Sequence, residues 1–145
     1  MATQKESIEK LVDIMKKWQA IEDESIKMTT EIIKKTDNAL VHLVMEIIRQ
    51  DSVMHRRVQQ LIVDHFEKQP LTLNPDELLG FWDMVEKHDV MEKKTIELAN
   101  QALGETKSAF ARYLISYLLV DEKKHDDLLE DMSKLKDGMY PYSGM

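Results

Sequence analysis

Residues capable of chemistry gather at four places in this sequence, and each place interrupts an apolar stripe. The steps Leu11, Met15, Trp18, Glu22, Ser25, Thr29 and Ile32 follow one helical face, so Glu22 falls where an apolar side chain belongs. Phe81, Val85, His88, Glu92, Thr95 and Ala99 do the same and bring His88 and Glu92 onto a buried face. Asp51, Ser52 and His55 break a third stripe, and Asp121, Glu122 and His125 break a fourth, with apolar residues resuming on both sides. A buried carboxylate without a counter-charge is costly, so Glu22, Glu92 and Glu122 converging in a core call for a cation. A divalent metal ion supplies one. His125 follows Glu122 by three residues, which projects both from one helix face toward a common metal. With no Cys in the chain, disulfides, iron–sulfur clusters and thiol chemistry are excluded, and carboxylate and imidazole are the strong ligands left. Those donors suit iron or manganese.

The elements that must position these groups are helices. A composition of 43% hydrophobic and 32% charged residues with 4 Gly and 3 Pro favours long helices over strands. The first stripe runs from Ile8 to Ile32 and stops at Thr36-Asp37-Asn38, a turn and N-cap signal. A second runs from Leu40 to Ile62 and fades at Gln69-Pro70. Asn74-Pro75-Asp76-Glu77 opens a third predicted helix that lasts to Gly104, and a fourth runs from Phe110 to Met132 and closes before Gly138. The reading is therefore an all-α four-helix bundle of two similar antiparallel hairpins, one domain over residues 1–138 with a tail over 139–145. Shifting the chain by seventy positions lays His55 on His125, Asp51 on Asp121, Glu22 on Glu92 and Thr36 on Thr106, as a duplicated hairpin would.

Helix rise tests whether the interruptions share a level. Taking Asp37 as the first turn centre, Glu22 and Ser52 lie fifteen residues to either side, and around Lys107 so do Glu92 and Glu122. Each pair then sits about 22 Å from its turn.

On these residues the chain resembles the ferritin-like superfamily, including rubrerythrins. Asp121-Glu122-Lys123-Lys124-His125 is similar to the family's D-E-x-x-H motif, and the likeness spans about residues 8–135. The resemblance implies a dinuclear iron or manganese centre that reacts with dioxygen or peroxide. By position its ligands would be Glu22, His55, Glu92, Glu122 and His125, with Asp51 and Asp121 behind them, each able to orient a His of the opposing helix. Ser52 stands where the second helix of that family carries a Glu. His88, one turn before Glu92, is a candidate replacement or supporting ligand. His42 and His65 read as surface or satisfied histidines, and Trp18, Trp82 and the ten Met as core filling. A hemerythrin-like oxygen carrier would need more histidines than His88 and its neighbours provide.

In the ferritin-like fold the second and third helices run parallel, so the connection must travel the length of the bundle. Ten steps from Phe66 to Asp76 reach at most about 35 Å, against a span of thirty helical residues, about 45 Å. Two chains exchanging hairpins, a homodimer, would resolve this, and a simple up-down-up-down monomer is the alternative. The net charge of −7 disfavours nucleic acid and anionic membranes, and no apolar run approaches the roughly 20 residues that cross a bilayer. The charged first ten residues lack a signal core, which reads as cytoplasmic. The rival function is a non-catalytic scaffold or partner-binding dimer whose polar layer only fixes helix register.

Overall fold

The computed structural model describes residues 2–143, with side chains through residue 138. All regular structure among the described residues is helical: α1 (Gln4–Lys35), α2 (Ala39–Glu67), α3 (Pro75–Leu79), α4 (Trp82–Glu105) and α5 (Ala109–Ser143). The chain divides into two compact units, Met1–Leu71 and Thr72–Met145. In the first, α1 packs on α2; in the second, α4 packs on α5, with short α3 against α4. Both pairs are antiparallel, because cross-helix partners move in opposite directions along the chain: Gln19 meets Gln60, Asp23 meets Arg56 and Ser25 meets Ser52 in the first, and Lys93 meets Glu130 and Thr95 meets Glu122 in the second.

Local signals explain where the helices start. Thr3 and Glu6 form a reciprocal capping box on α1. The Asn38 side chain accepts from the N–H groups of Leu40 and Val41, and Asn74 caps α3 ahead of Pro75. The two tight turns share one construction. Thr36 and Thr106 end their helices in extended conformation, and each Thr hydroxyl accepts a 3.1 Å bond from the N–H two residues on, in Asn38 and Ser108. Six residues after each Thr, a side chain from the next helix, His42 or Arg112, bonds its carbonyl. The seventy-residue shift thus superposes contacts as well as residue types.

Three expectations change. The third predicted helix is broken: Gly80 ends α3, and Phe81, at φ −141° and ψ −2°, separates it from α4. The fourth does not close before Gly138. Gly138 has no left-handed φ, and a single glycine, at about 1 kcal/mol, is too weak a breaker to end a long helix, so α5 continues to Ser143 through part of the expected tail. The turn centres also shift, from Asp37 to between Asn38 and Ala39 and from Lys107 to between Ser108 and Ala109, as the Ser25–Ser52 and Thr95–Glu122 pairs require.

Each hairpin buries little. Val12, Met15 and Val63 form the core of the first, while Leu78, Trp82 and Ala99 are buried in the second. Trp82 fulfils its expected role, its indole N–H on Glu86 and the Lys136 ammonium 4.4 Å above its ring. Trp18 does not: it is 48% exposed, and Met28, Met54, Met84 and Met91 are also on the surface. No described helix is long and apolar enough to cross a membrane.

Candidate metal centre

The helix faces predicted to carry chemistry bring it together within each hairpin. In the second, α4 contributes His88, Glu92 and Thr95 and α5 contributes Asp121, Glu122 and His125. One ligand atom from each of Glu92, Glu122 and His125 lies within 4.8 Å of the other two. Glu92 is only 7% exposed, and its two oxygens differ. Oε1 takes the imidazole Nε2 of His88 at 2.8 Å; Oε2 is buried without a hydrogen bond and faces His125 Nδ1 at 3.5 Å. Such an oxygen is costly in protein and useful to a cation. Glu122 Oε2 lies 3.8 Å from the same His125 nitrogen and 2.9 Å from the Thr95 hydroxyl, which also stands 2.6 Å from the Glu92 carbonyl.

The other nitrogen of His125, Nε2, sits 3.3 Å from Asp121 Oδ2. A proton held on Nε2 by that carboxylate leaves the Nδ1 lone pair toward Glu92 and Glu122, the arrangement of a histidine ligand with its supporting acid. Asp121 therefore supports the histidine of its own helix, one turn on.

The two glutamates are coupled. The neighbouring Glu92 carboxylate raises the Glu122 pKa above the ordinary carboxylate value, with burial adding to the rise. Its coupling to Glu122 lowers that of Glu92, against burial and with help from His88. These residues fit a divalent ion, which would satisfy Glu92 Oε2 and find two anionic oxygens and one imidazole nitrogen.

In the first hairpin, Glu22 repeats Glu92 closely. It is 7% exposed, its Oε2 is buried without a hydrogen bond, and His55 Nδ1 lies 3.3 Å away. The remaining positions differ. Ser52, 5% exposed, donates to Ser25 Oγ at 2.9 Å where Glu122 meets Thr95. Asp51 makes no bond to His55 among the described residues, and the position of His88 is held by exposed Trp18. His42 and His65 are satisfied locally, by the Thr36 carbonyl and by the Leu71 N–H.

The sequence reading overlooked a second carboxylate group, Asp89, Asp126 and Glu130. The signal was present in Asp89 and Lys93, one turn apart on α4. The Lys93 ammonium lies 2.8 Å from Asp89 and Asp126 and 3.0 Å from Glu130, and these carboxylates, Asp126 foremost, hold its pKa above the ordinary lysine value. That group already contains its cation. Arg56 and Asp23 form the corresponding pair in the first hairpin with the charges exchanged between helices.

The chain matches no family model, no curated protein and no solved structure in the comparisons made.

Proposed function

We propose that this chain is a ferritin-like metal-binding protein that holds iron or manganese on Glu92, Glu122 and His125. One observation carries the reading: the unbonded, buried Oε2 of Glu92 faces a histidine whose far nitrogen is held by Asp121, with a second carboxylate beside it. His88 positions Glu92 through its other oxygen. Bound iron would supply one-electron chemistry toward dioxygen or peroxide; the residues' own part is to fix three donors and keep the carboxylates out of water. The test is metal content. Full-length protein purified without chelators, then stripped and reloaded with Fe(II) or Mn(II), retains stoichiometric metal; no more than a trace per chain, with no rebinding, ends the proposal.

In the same reading, two chains associate by exchanging hairpins. What supports this is the apolar surface each hairpin leaves open, including Ile14, Ile21 and Met28 on α1, Val58 and Leu61 on α2, and Val120 and Leu128 on α5. Charge favours unlike hairpins meeting: residues 1–71 carry eleven Lys and Arg against twelve Asp and Glu, residues 72–145 nine against fifteen. Connection length no longer supports it, because the break at Gly80–Phe81 lets α4 begin at Trp82 and shortens the span to be crossed. Light scattering at micromolar concentration reads two chains per particle; one chain per particle removes the exchange and leaves the metal reading intact.

A further inference from the structure

We infer that each chain binds one metal ion tightly, on its second hairpin, because Ser52 replaces with a hydroxyl the third ligand of an otherwise repeated half-site in the first. The inference rests on the metal reading above and adds to it the number of ions and the residue that sets it.

The repeat is geometric. Across the seventy-residue shift, His55 to Glu22 at 3.3 Å becomes His125 to Glu92 at 3.5 Å, each between Nδ1 and Oε2. Glu22 and Glu92 are equally buried, and in both the Oε2 atom lacks a hydrogen bond. Ser25 and Thr95 offer a hydroxyl at the same place, 2.9 Å from the side chain of residue 52 or 122. What differs is the group that hydroxyl meets. In the second hairpin it is a carboxylate, which completes a set of three donors; in the first it is the neutral Ser52, whose hydroxyl donates to that of Ser25.

Charge and donor count decide the consequence. Two carboxylates and an imidazole offset a divalent ion's charge and supply three donors, whereas Glu22 and His55 offer one charge and two donors. Among the described residues the first hairpin also has Trp18 in place of His88, and Asp51, at the position of Asp121, makes no contact to His55 like that of Asp121 to His125. Its half-site is therefore too weak to hold an ion at concentrations that fill the second. The Ser52→Glu substitution restores the missing carboxylate opposite the Ser25 hydroxyl, where Thr95 meets Glu122.

The experiment counts Mn(II) bound to chelator-stripped full-length protein by equilibrium dialysis, with free Mn(II) read by electron paramagnetic resonance. Wild type binds one ion per chain, and S52E binds two, the second more weakly because Trp18 replaces His88 and Asp51 does not hold His55 as Asp121 holds His125. Glu122→Ser, which gives the second hairpin the pattern of the first, weakens the tight ion by at least roughly a hundredfold, since losing a ligand should exceed the 10–100-fold cost of losing an outer-shell partner. Two tight ions in wild type, or one in a folded S52E whose circular dichroism matches wild type, overturns the inference and leaves the metal reading standing. Unchanged tight binding in E122S overturns it independently, should S52E not fold. No ion in wild type overturns the metal reading itself, and the inference with it.

Discussion

Glu92→Gln is expected to weaken Mn(II) binding by at least roughly a hundredfold, although it changes one oxygen for an amide nitrogen and keeps the shape. The reason lies in the division of labour between the two oxygens. Oε1 is engaged by His88, so the oxygen available to a metal is Oε2, buried and unbonded at 3.5 Å from His125. Gln can keep the His88 contact through its carbonyl only by turning its NH₂ toward the site, where it offers no lone pair and repels a cation. The alternative orientation aims the carbonyl at the site but makes His88 Nε2 accept from the amide, which requires the other imidazole tautomer. A thermal measurement reads the outcome. Ligand at a hundred times its dissociation constant stabilises a folded chain by about 2.7 kcal/mol, and a hundredfold loss of affinity leaves about 0.4 kcal/mol. For a chain of this size that is a metal-induced rise in Tm of roughly 5–10 °C in wild type, falling to a degree or two in the variant.

The scaffold reading predicts something else. If the polar layer only fixes the register of α4 on α5, Glu92→Gln alters the Tm of the metal-free chain through lost contacts to His88 and Glu122, and Mn(II) moves both proteins alike. Equal metal-induced shifts in wild type and variant would therefore count against the metal centre. The effects of metal and mutation must be coupled, since only then do they act on the same atoms.

Particular residues show how far such a site can be read from sequence. Glu22 and Glu92 stand out because a carboxylate on an apolar helical face is costly at either place, and both are buried. Periodicity assigns a face well. It assigns height less well: the equidistance argument set Glu22 opposite Ser52, whereas the turns centre one to two residues later and Ser25 is the actual partner. The slip arises at Thr36 and Thr106, whose extended caps place the return helices at Ala39 and Ala109. Helix rise alone carries no information about the residues consumed by a turn. Trp18 was misread for a different reason. It lies on the apolar stripe of α1, yet its partner helix α2 covers only part of that stripe, and Trp18 falls on the exposed remainder. The break at Gly80–Phe81 also escaped the pattern, because Phe81 and Val85 keep helical spacing across a backbone that is not helical at Phe81.

Metal affinity should fall steeply in acid, and metal-free and metal-loaded proteins should respond to pH in opposite directions. Glu122 has a raised pKa because of the neighbouring Glu92 carboxylate and its burial, so its proton contributes stability that is fully present below the unfolded carboxylate value and is lost as pH rises through the higher folded value. Glu92 has a lowered pKa, so its contribution is present above the unfolded value and is lost as pH falls through the lower folded one. Together they favour the singly protonated pair between the lowered and the raised value, and the metal-free chain loses the Glu122 contribution as pH rises through the raised one. A metal ion reverses the slope, since binding must expel the Glu122 proton and needs the lone pair of His125 free. Affinity therefore drops about tenfold per pH unit for each proton that returns to the site. Glu122→Gln supplies a permanent donor to Glu92, so in metal-free protein it should abolish the decline toward neutral pH, while also forfeiting a ligand. The measurement is Tm against pH from mild acid to neutrality, with and without Mn(II), for wild type and Glu122→Gln. Parallel wild-type profiles with and without metal would mean that no proton leaves when metal enters, and Glu122 would then have no place among the ligands.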